Sequence, residues 1–245
     1  MILPRAKDAI HKAWLYRLLS FLLDDIDISQ NLYFKGGTCA SMLGWLDRFS
    51  VDLDFDLKQG VDKKSLRTKF YKIFSKLGLE IKDESQKALQ FFLRYKAKSG
   101  QRNTLKLDII DFFVKANKYE KCYLKEIDRW VVCQTVETMF SNKLVTVEDR
   151  YQKFKTIAGR DIYDIHYFFI QGFKYDQDIL TERTGKTPAL YLKDLVDFIN
   201  KKVSQTIIDQ DLNTLLIKQR FNLIRKTLKN EVLMFLQDEI KRIRS

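Results

Sequence analysis

The chain has 245 residues, 45% of them hydrophobic, with 44 Lys and Arg against 32 Asp and Glu and a formal charge of +12. That apolar share supports a core and excludes disorder, while nine Gly and two Pro exclude collagen-like, low-complexity and long-linker chains and favour helix. Three scattered cysteines, two histidines, an N-terminus studded with charge and the lack of any apolar run of about eighteen residues argue against a disulfide scaffold, a zinc knuckle, a signal peptide and a membrane span, so the expectation is a soluble, cytoplasmic protein.

Residues 5–23 carry Ile10, Trp14, Leu15, Leu18, Leu19 and Leu22 at spacings of three and four, which predicts an amphipathic helix ended by Asp24, Asp25 and Asp27. Leu32-Tyr33-Phe34 reads as a short strand running into Gly36-Gly37-Thr38, with a helix over 39–46 packed close to that turn. Residues 50–57 alternate, Val51, Leu53, Phe55 and Leu57 on one side and Asp52, Asp54 and Asp56 on the other, as in a half-buried strand. Asp56, at the strand's end, is expected in solvent. The spacing of Leu66, Phe70, Ile73, Phe74 and Leu77 predicts a helix over 63–77 capped by Gly78.

Strands are predicted at 79–82, 88–95 and 105–110, the last with Leu105, Leu107 and Ile109 opposite Lys106, Asp108 and Ile110. From about Val136 the period becomes 3.6, giving helices at 136–149, 160–171, 188–204 and 207–243, the last with a break near Asn230. The organisation is α+β: an α/β domain over 1–130, then a helical domain over 131–245.

Charge is unevenly spread along this frame. Residues 1–60 hold seven Lys and Arg against eight Asp and Glu, including a knot of Asp47, Asp52, Asp54 and Asp56, and the rest of the chain is basic. An acid-free basic run, 212–230, carries Lys218, Arg220, Arg225, Lys226 and Lys229. Such a field either keeps a lysine-rich protein soluble or draws in a polyanion, and the second reading gains if the acidic knot is a metal site.

Residues two apart on a strand share a face about 6.6 Å apart, so Asp52 and Asp54 point the same way. Neighbouring carboxylates repel unless a cation lies between them, and hard oxygen ligands suit Mg²⁺ or Mn²⁺. Asp108, on a later alternating strand, is the natural third carboxylate of a site for phosphoryl transfer. Gly36 and Gly37 allow close backbone approach to a phosphate, and the Thr38 hydroxyl adds a donor or a cap. Taken singly, an Asp-x-Asp is usually a solvated strand face and a Gly-Gly usually only a turn. It is the ordered combination that points to a metal site. Arg48 fits either a phosphate contact or a buttress for the acidic strand. His166 sits on an apolar helix as a core or interface residue, and Cys39 follows the glycine turn as a buried one.

This combination resembles the nucleotidyltransferase superfamily that includes DNA polymerase β and the tRNA-nucleotidyltransferases. Within it, the chain is similar to the AbiEii/AbiGii toxins of type IV toxin–antitoxin and phage-defence systems. The likeness is carried in order by Tyr33-Phe-Lys-Gly-Gly-Thr38, Arg48-Phe-Ser-Val-Asp-Leu-Asp-Phe55, Leu105-Lys-Leu-Asp108, Ser141-Asn-Lys-Leu-Val145 and Arg160-Asp-Ile-Tyr-Asp-Ile165. It implies an α+β fold with a nucleotidyltransferase-like mixed sheet flanked by helices, followed by a helical half that completes the active site and binds the acceptor.

The implied activity is metal-dependent transfer of a nucleoside monophosphate from an NTP to RNA, tRNA first among acceptors, with release of pyrophosphate and with an antitoxin encoded nearby. Asp52 and Asp54 match the metal pair and Asp108 the third carboxylate. Lys143 matches a lysine that pairs with the triphosphate, and Asp161 a later catalytic-site acid, with Asp164 as its alternative one turn on. Gly36, Gly37, Thr38 and Arg48 fall in the nucleotide-binding segment, and the basic run at 212–230 is the candidate RNA contact. By residue type alone, Lys143 is a solvated helix lysine and Asp161 with Asp164 a helix-surface ion pair. Two other readings stay open: transfer to a protein side chain, and a non-catalytic binding module that has kept the fold. A metal-dependent hydrolase lacks the histidine ligands it needs.

Overall fold

The apolar stripe near the N-terminus closes into a 3-10 turn at Ala6–Asp8 followed by α1 (Ala9–Asp24), which buries Leu15, Leu18, Leu19 and Leu22. This and all that follows is read from a computed structural model that describes residues 1–244. The Asp25 side chain accepts from the amides of Asp27 and Ile28 and starts the single turn α2 (Ile26–Ser29). Next come β1 (Leu32–Lys35), α3 (Gly36–Met42), β2 (Asp52–Leu57) and α4 (Lys63–Lys76), the last opened by Asp62 and closed at Gly78, which has a φ of +65°. The sheet is completed by β3 (Glu80–Glu84), β4 (Leu89–Arg94), β5 (Thr104–Ile110), β6 (Tyr119–Leu124) and β7 (Arg129–Gln134).

Among the described residues these strands form one seven-stranded mixed sheet, ordered β3-β4-β5-β2-β1-β7-β6. β2 runs parallel to β5 and β1 parallel to β7, while the other neighbours are antiparallel. One face carries Phe34, Leu53, Phe55, Phe91, Leu107 and Cys133, all buried. Phe70 and Phe74 of α4 meet Phe91 edge-on at 5.6 and 5.2 Å, a contact that each ring's burial makes worth about 1.5–3 kcal/mol. Buried His11 ties α1 to the start of β2: its Nε2 donates to the Val51 carbonyl at 2.9 Å and its Nδ1 lies 2.8 Å from the Tyr95 hydroxyl. Burial holds this imidazole neutral, its pKa pushed down to about 4.

The chain divides into two compact units: Met1–Phe113 with Tyr119–Gln134, and Val114–Lys118 with everything from Thr135 on. The second is helical: α5 (Val136–Phe154), α6 (Gly159–Ile170), α7 (Gln177–Thr184), α8 (Pro188–Lys202), α9 (Gln205–Leu212), α10 (Lys218–Ile224) and α11 (Leu228–Arg244). Gly159 lets α6 start against α9, since a Cβ there would lie 2.8 Å from the Ile207 carbonyl oxygen. His166 is a core residue, 2% exposed, its Nε2 2.5 Å from Glu231.

Four expectations are corrected. The glycines after β1 are the first turn of α3, which ends at Met42. The long C-terminal helix is three, broken on either side of α10, with Asn230 inside α11. Strands β6 and β7 and helix α7 lie where no element was predicted. Finally, Asp56 is buried at 4% exposure, because β6 and β7 supply partners for it. It pairs with Lys35 Nζ at 2.5 Å and accepts from the Tyr119 hydroxyl at 3.0 Å and Gln134 Nε2 at 2.6 Å.

Asp56 therefore joins β2 to β1, β6 and β7. Removing it strands the Lys35 ammonium, the buried Gln134 amide and the half-buried Tyr119 hydroxyl, so Asp56→Ala is expected to cost about 3–5 kcal/mol in urea unfolding, and Asp56→Leu combined with Lys35→Met to recover much of that loss. A cost under about 1 kcal/mol would show that the strands do not depend on it.

Candidate active site

The turn from β1 into α3 has no loop because Gly36, at a φ of +77°, swings the chain directly from strand to helix. Gly36 also lies against the acidic strand: a Cβ there would sit 2.6 Å from Asp54 Oδ2. The next glycine is pressed from the other side, since a Cβ on Gly37 would meet the Arg48 guanidinium at 2.6 Å. Thr38 is buried and donates through Oγ1 to the Asp52 carbonyl at 2.5 Å, fixing α3 to the start of β2. Arg48, 3% exposed, donates to the Phe49 carbonyl at 3.0 Å, and its own carbonyl accepts from Ser41. Arg48 thus lies buried against Gly37 behind the turn into α3. With only seven residues, α3 offers the backbone amides of its first turn rather than a long helix dipole.

Strand pairing puts the carboxylates on one face. Asp54 stands opposite Lys35 of β1 and opposite Asp108 of β5, and Asp52 opposite Lys106. Burial pushes the Asp54 pKa up to about 6, Asp52 and Asp108 push it further in the same direction, and Lys35 and Lys106 only partly offset them. Asp108 turns its Oδ2 to Lys106 Nζ at 2.6 Å and Gln90 Nε2 at 3.1 Å. Beside it opens a cavity of about 320 Å³ lined by Leu57, Leu89, Ile109, Lys63 and Lys87.

Among the described residues no three acidic, histidine or cysteine side chains converge as a ligand set. Asp52 and Asp54 still suit a hard divalent cation, because Mg²⁺ takes one or two carboxylates and completes its shell with water and phosphate oxygens. The unfavourable charge of Asp54, crowded by Asp52 and Asp108, is the deficit that such an ion offsets.

A second charged cluster forms within the helical unit. Lys143 of α5 bridges Asp161 Oδ1 and Asp164 Oδ2 of α6, each at 2.9 Å, and Arg150 Nε reaches Asp161 Oδ2 at 3.0 Å. Asp161 and Asp164 are 1% and 0% exposed, so the solvated lysine and the helix-surface ion pair give way to a buried interhelical cluster. Burial alone would raise Asp161, but Lys143 and Arg150 overcome it and hold this carboxyl well below the usual range.

The basic run at 212–230 is partly committed to structure. Arg225 pairs with Asp209, Lys229 Nζ caps α8 through the Asn200 and Val203 carbonyls at 2.9 Å each, and Arg220 Nε donates to the Tyr163 hydroxyl at 3.2 Å. Lys218 and Lys226 are exposed. Lys35 and Gln90 were missed as neighbours of the carboxylates, since only strand register reveals them. The three cysteines gather on the core face, Cys133 Sγ 2.9 Å from Cys122 Sγ, and burial pushes the Cys39 thiol up, consistent with an inert core residue.

Residues 17–236 match the family described as Nucleotidyl transferase AbiEii toxin, Type IV TA system. Among solved structures, JHP933 from Helicobacter pylori is similar over 99% of this chain and 95% of its own, with 21% identity and a TM-score of 0.64. MenT4, a nucleotidyltransferase toxin from Mycobacterium tuberculosis H37Rv, is similar over 97% of this chain and 88% of its own, with 14% identity and a TM-score of 0.57. These likenesses show a nucleotidyltransferase-like α+β fold. No curated protein matches the chain in sequence.

Because the Asp54 pKa is raised when folded, its contribution to stability is lost as pH climbs from the ordinary value of 3.8 through about 6. In chelator at pH 8, Asp54→Asn is therefore expected to be more stable than the parent by about 1–3 kcal/mol, a gain that vanishes near pH 4. A loss of stability at pH 8 would mark Asp54 as a structural acceptor instead. The Lys143 cluster behaves oppositely. Lys143→Ala uncovers two buried carboxylates and is expected to cost about 3 kcal/mol in denaturant unfolding, with Arg150 limiting the damage at Asp161. An effect below about 1 kcal/mol would mean that Lys143 is not the counter-ion of this cluster.

Proposed function

The chain belongs to the AbiEii family of nucleotidyltransferase toxins, and we propose that it transfers a nucleoside monophosphate from an NTP to an RNA acceptor, with tRNA the first candidate. The observation that supports this most directly is the approach of the Gly36 backbone to within a missing methyl group of the Asp54 carboxylate. With no side chain between them, a phosphate held by the amides of this turn would lie next to a cation held by Asp52 and Asp54, and any side chain at Gly36 would push into the Asp54 carboxylate.

The acceptor hydroxyl oxygen forms a bond to the α-phosphorus, the α–β bridging bond breaks, and pyrophosphate leaves with that electron pair. Asp52 and Asp54 would hold Mg²⁺ or Mn²⁺, which when bound neutralises charge on the phosphates and lowers the pKa of the attacking hydroxyl. The amides of the first α3 turn orient the phosphates, and Lys35 and Lys106 temper the negative field of the face. Asp108 is carried as the third carboxylate of that site on the strength of the motif, its Oδ2 meeting Lys106 and Gln90 while no ion is bound. Lys143 and Asp161 are carried as phosphate-pairing and catalytic-site residues on the strength of the motifs alone. Lys218, Arg220, Arg225, Lys226 and Lys229 are carried in the same way as RNA contacts, with Lys218 and Lys226 the most exposed of them. The setting we propose is cytoplasmic, in a type IV toxin–antitoxin or phage-defence system with a cognate antitoxin.

Purified protein incubated with each α-labelled NTP, Mg²⁺ or Mn²⁺ and total tRNA is expected to label an RNA band with one nucleotide. Asp54→Ala should lower the rate by at least about 10²–10³-fold. Label in a polypeptide band that survives RNase would move the acceptor to protein. No label from any nucleotide, with the protein folded, would overturn the transfer to RNA.

A further inference from the structure

The sheet face that carries the carboxylates continues past them. By strand alternation and register, Tyr33 and Lys35 of β1 share it with Asp54 and Asp56, as do Trp130, Val132 and Gln134 of β7 and Tyr119, Lys121 and Tyr123 of β6. The hydrogen bonds from Tyr119 and Gln134 to Asp56 place both residues on that face. Beyond Asp56 the face is aromatic and open. The Tyr33 and Tyr119 ring centroids lie 4.2 Å apart with the rings tilted by 31°, and those of Tyr123 and Trp130 lie 5.3 Å apart. Lys121 Nζ sits over the Trp130 ring at 5.1 Å. Trp130 is 58% exposed and Tyr123 41%, so neither is being spent on the core. Glu120 and Arg129 alternate to the opposite face, and Arg129 is held there by Asp24.

We propose that this ribbon of Tyr33, Tyr119, Lys121, Tyr123 and Trp130 is a stacking platform for an unpaired RNA end, an inference that rests on the RNA-acceptor reading above. Flat exposed rings on a sheet, with an ammonium against one of them, stack bases without regard to sequence and meet the backbone charge at the same time. A paired helix hides its bases from such rings, so the platform selects single strands. The overall +12 charge favours a polyanion over an acidic or neutral peptide as the occupant. The ribbon's outer strand lies three strand intervals from β2, about 14 Å, so bases stacked along it lead a strand end toward Asp54.

The test is anisotropy of a fluorescein-labelled single-stranded RNA, alone and annealed to its complement, with the parent protein, Trp130→Ala, Trp130→Phe and Lys121→Ala. The single strand is expected to bind more tightly than the duplex. Trp130→Ala should weaken it about ten-fold or more, and Lys121→Ala less. Trp130→Phe should keep most of the affinity, and unchanged melting of all three variants separates binding from folding. Binding of Trp130→Ala within about two-fold of the parent, or equal affinity for duplex and single strand, overturns the platform. The two readings fail separately: label entering RNA with Trp130→Ala binding like the parent sinks the platform alone, whereas Trp130-dependent binding of single strands with no RNA labelled sinks the transfer alone.

Discussion

Asp56 is a carboxylate sealed inside a seven-stranded sheet, and the arrangement of the acidic face follows from how its charge is met. Three groups from three other strands converge on it, and a buried charge tolerates no looser arrangement, because each lost partner exposes the full cost of desolvation. Once Asp56 is fixed, strand alternation and a rise of about 3.3 Å per residue fix Asp54 and Asp52 on the same face. Lys35 serves this anchor first. It pairs directly with Asp56 and acts on Asp54 only through space, so one carboxylate of the row is neutralised by the protein and the next is left to something else.

Two groups of carboxylates in the chain show opposite electrostatics, and the contrast is informative. Around Asp161 the helical unit provides its own cations, and the charge is favourable without any ligand. Around Asp54 the sheet supplies more negative charge than positive, and burial makes the deficit worse. A fold keeps an unfavourable charge where binding relieves it, which is the usual sign of a functional site. The same physics gives Gly36 its place: the backbone can come this near the carboxylate only where there is no Cβ and where a positive φ is tolerated.

Much of this was legible in the residues, and the gaps have specific causes. The alternation of 50–57 and 105–110 set two strands and brought Asp52, Asp54 and Asp108 to one face, because half-buried strands announce themselves by period two. β6 does not. As an edge strand it has little to bury, and its sequence Tyr-Glu-Lys-Cys-Tyr-Leu shows no apolar alternation. Missing β6 and β7 removed Tyr119 and Gln134 from view, and that is why Asp56 looked solvated. The division of the last helix into three is equally silent, since neither Gly nor Pro marks the breaks around α10. Chain packing, such as α6 closing on α9 at Gly159, overrides the periodic pattern there.

Net charge along a sequence is also a poor guide to charge available on a surface. The run at 212–230 is free of acidic residues, yet Arg225 is answered by Asp209 and Lys229 spends its donors on the end of a helix. What such residues lend a polyanion is a long-range field, screened over about 10 Å at ordinary salt and indifferent to whether a nucleic acid is paired. Discrimination needs short-range contacts that only an unstacked base can make, and the proposed platform would supply them farther along the same sheet face, where Trp130 and Tyr123 gain nothing for the core by their exposure. On the proposed reading, long-range charge sets how fast an RNA acceptor arrives, and rings on the acidic face decide which strand end stays there.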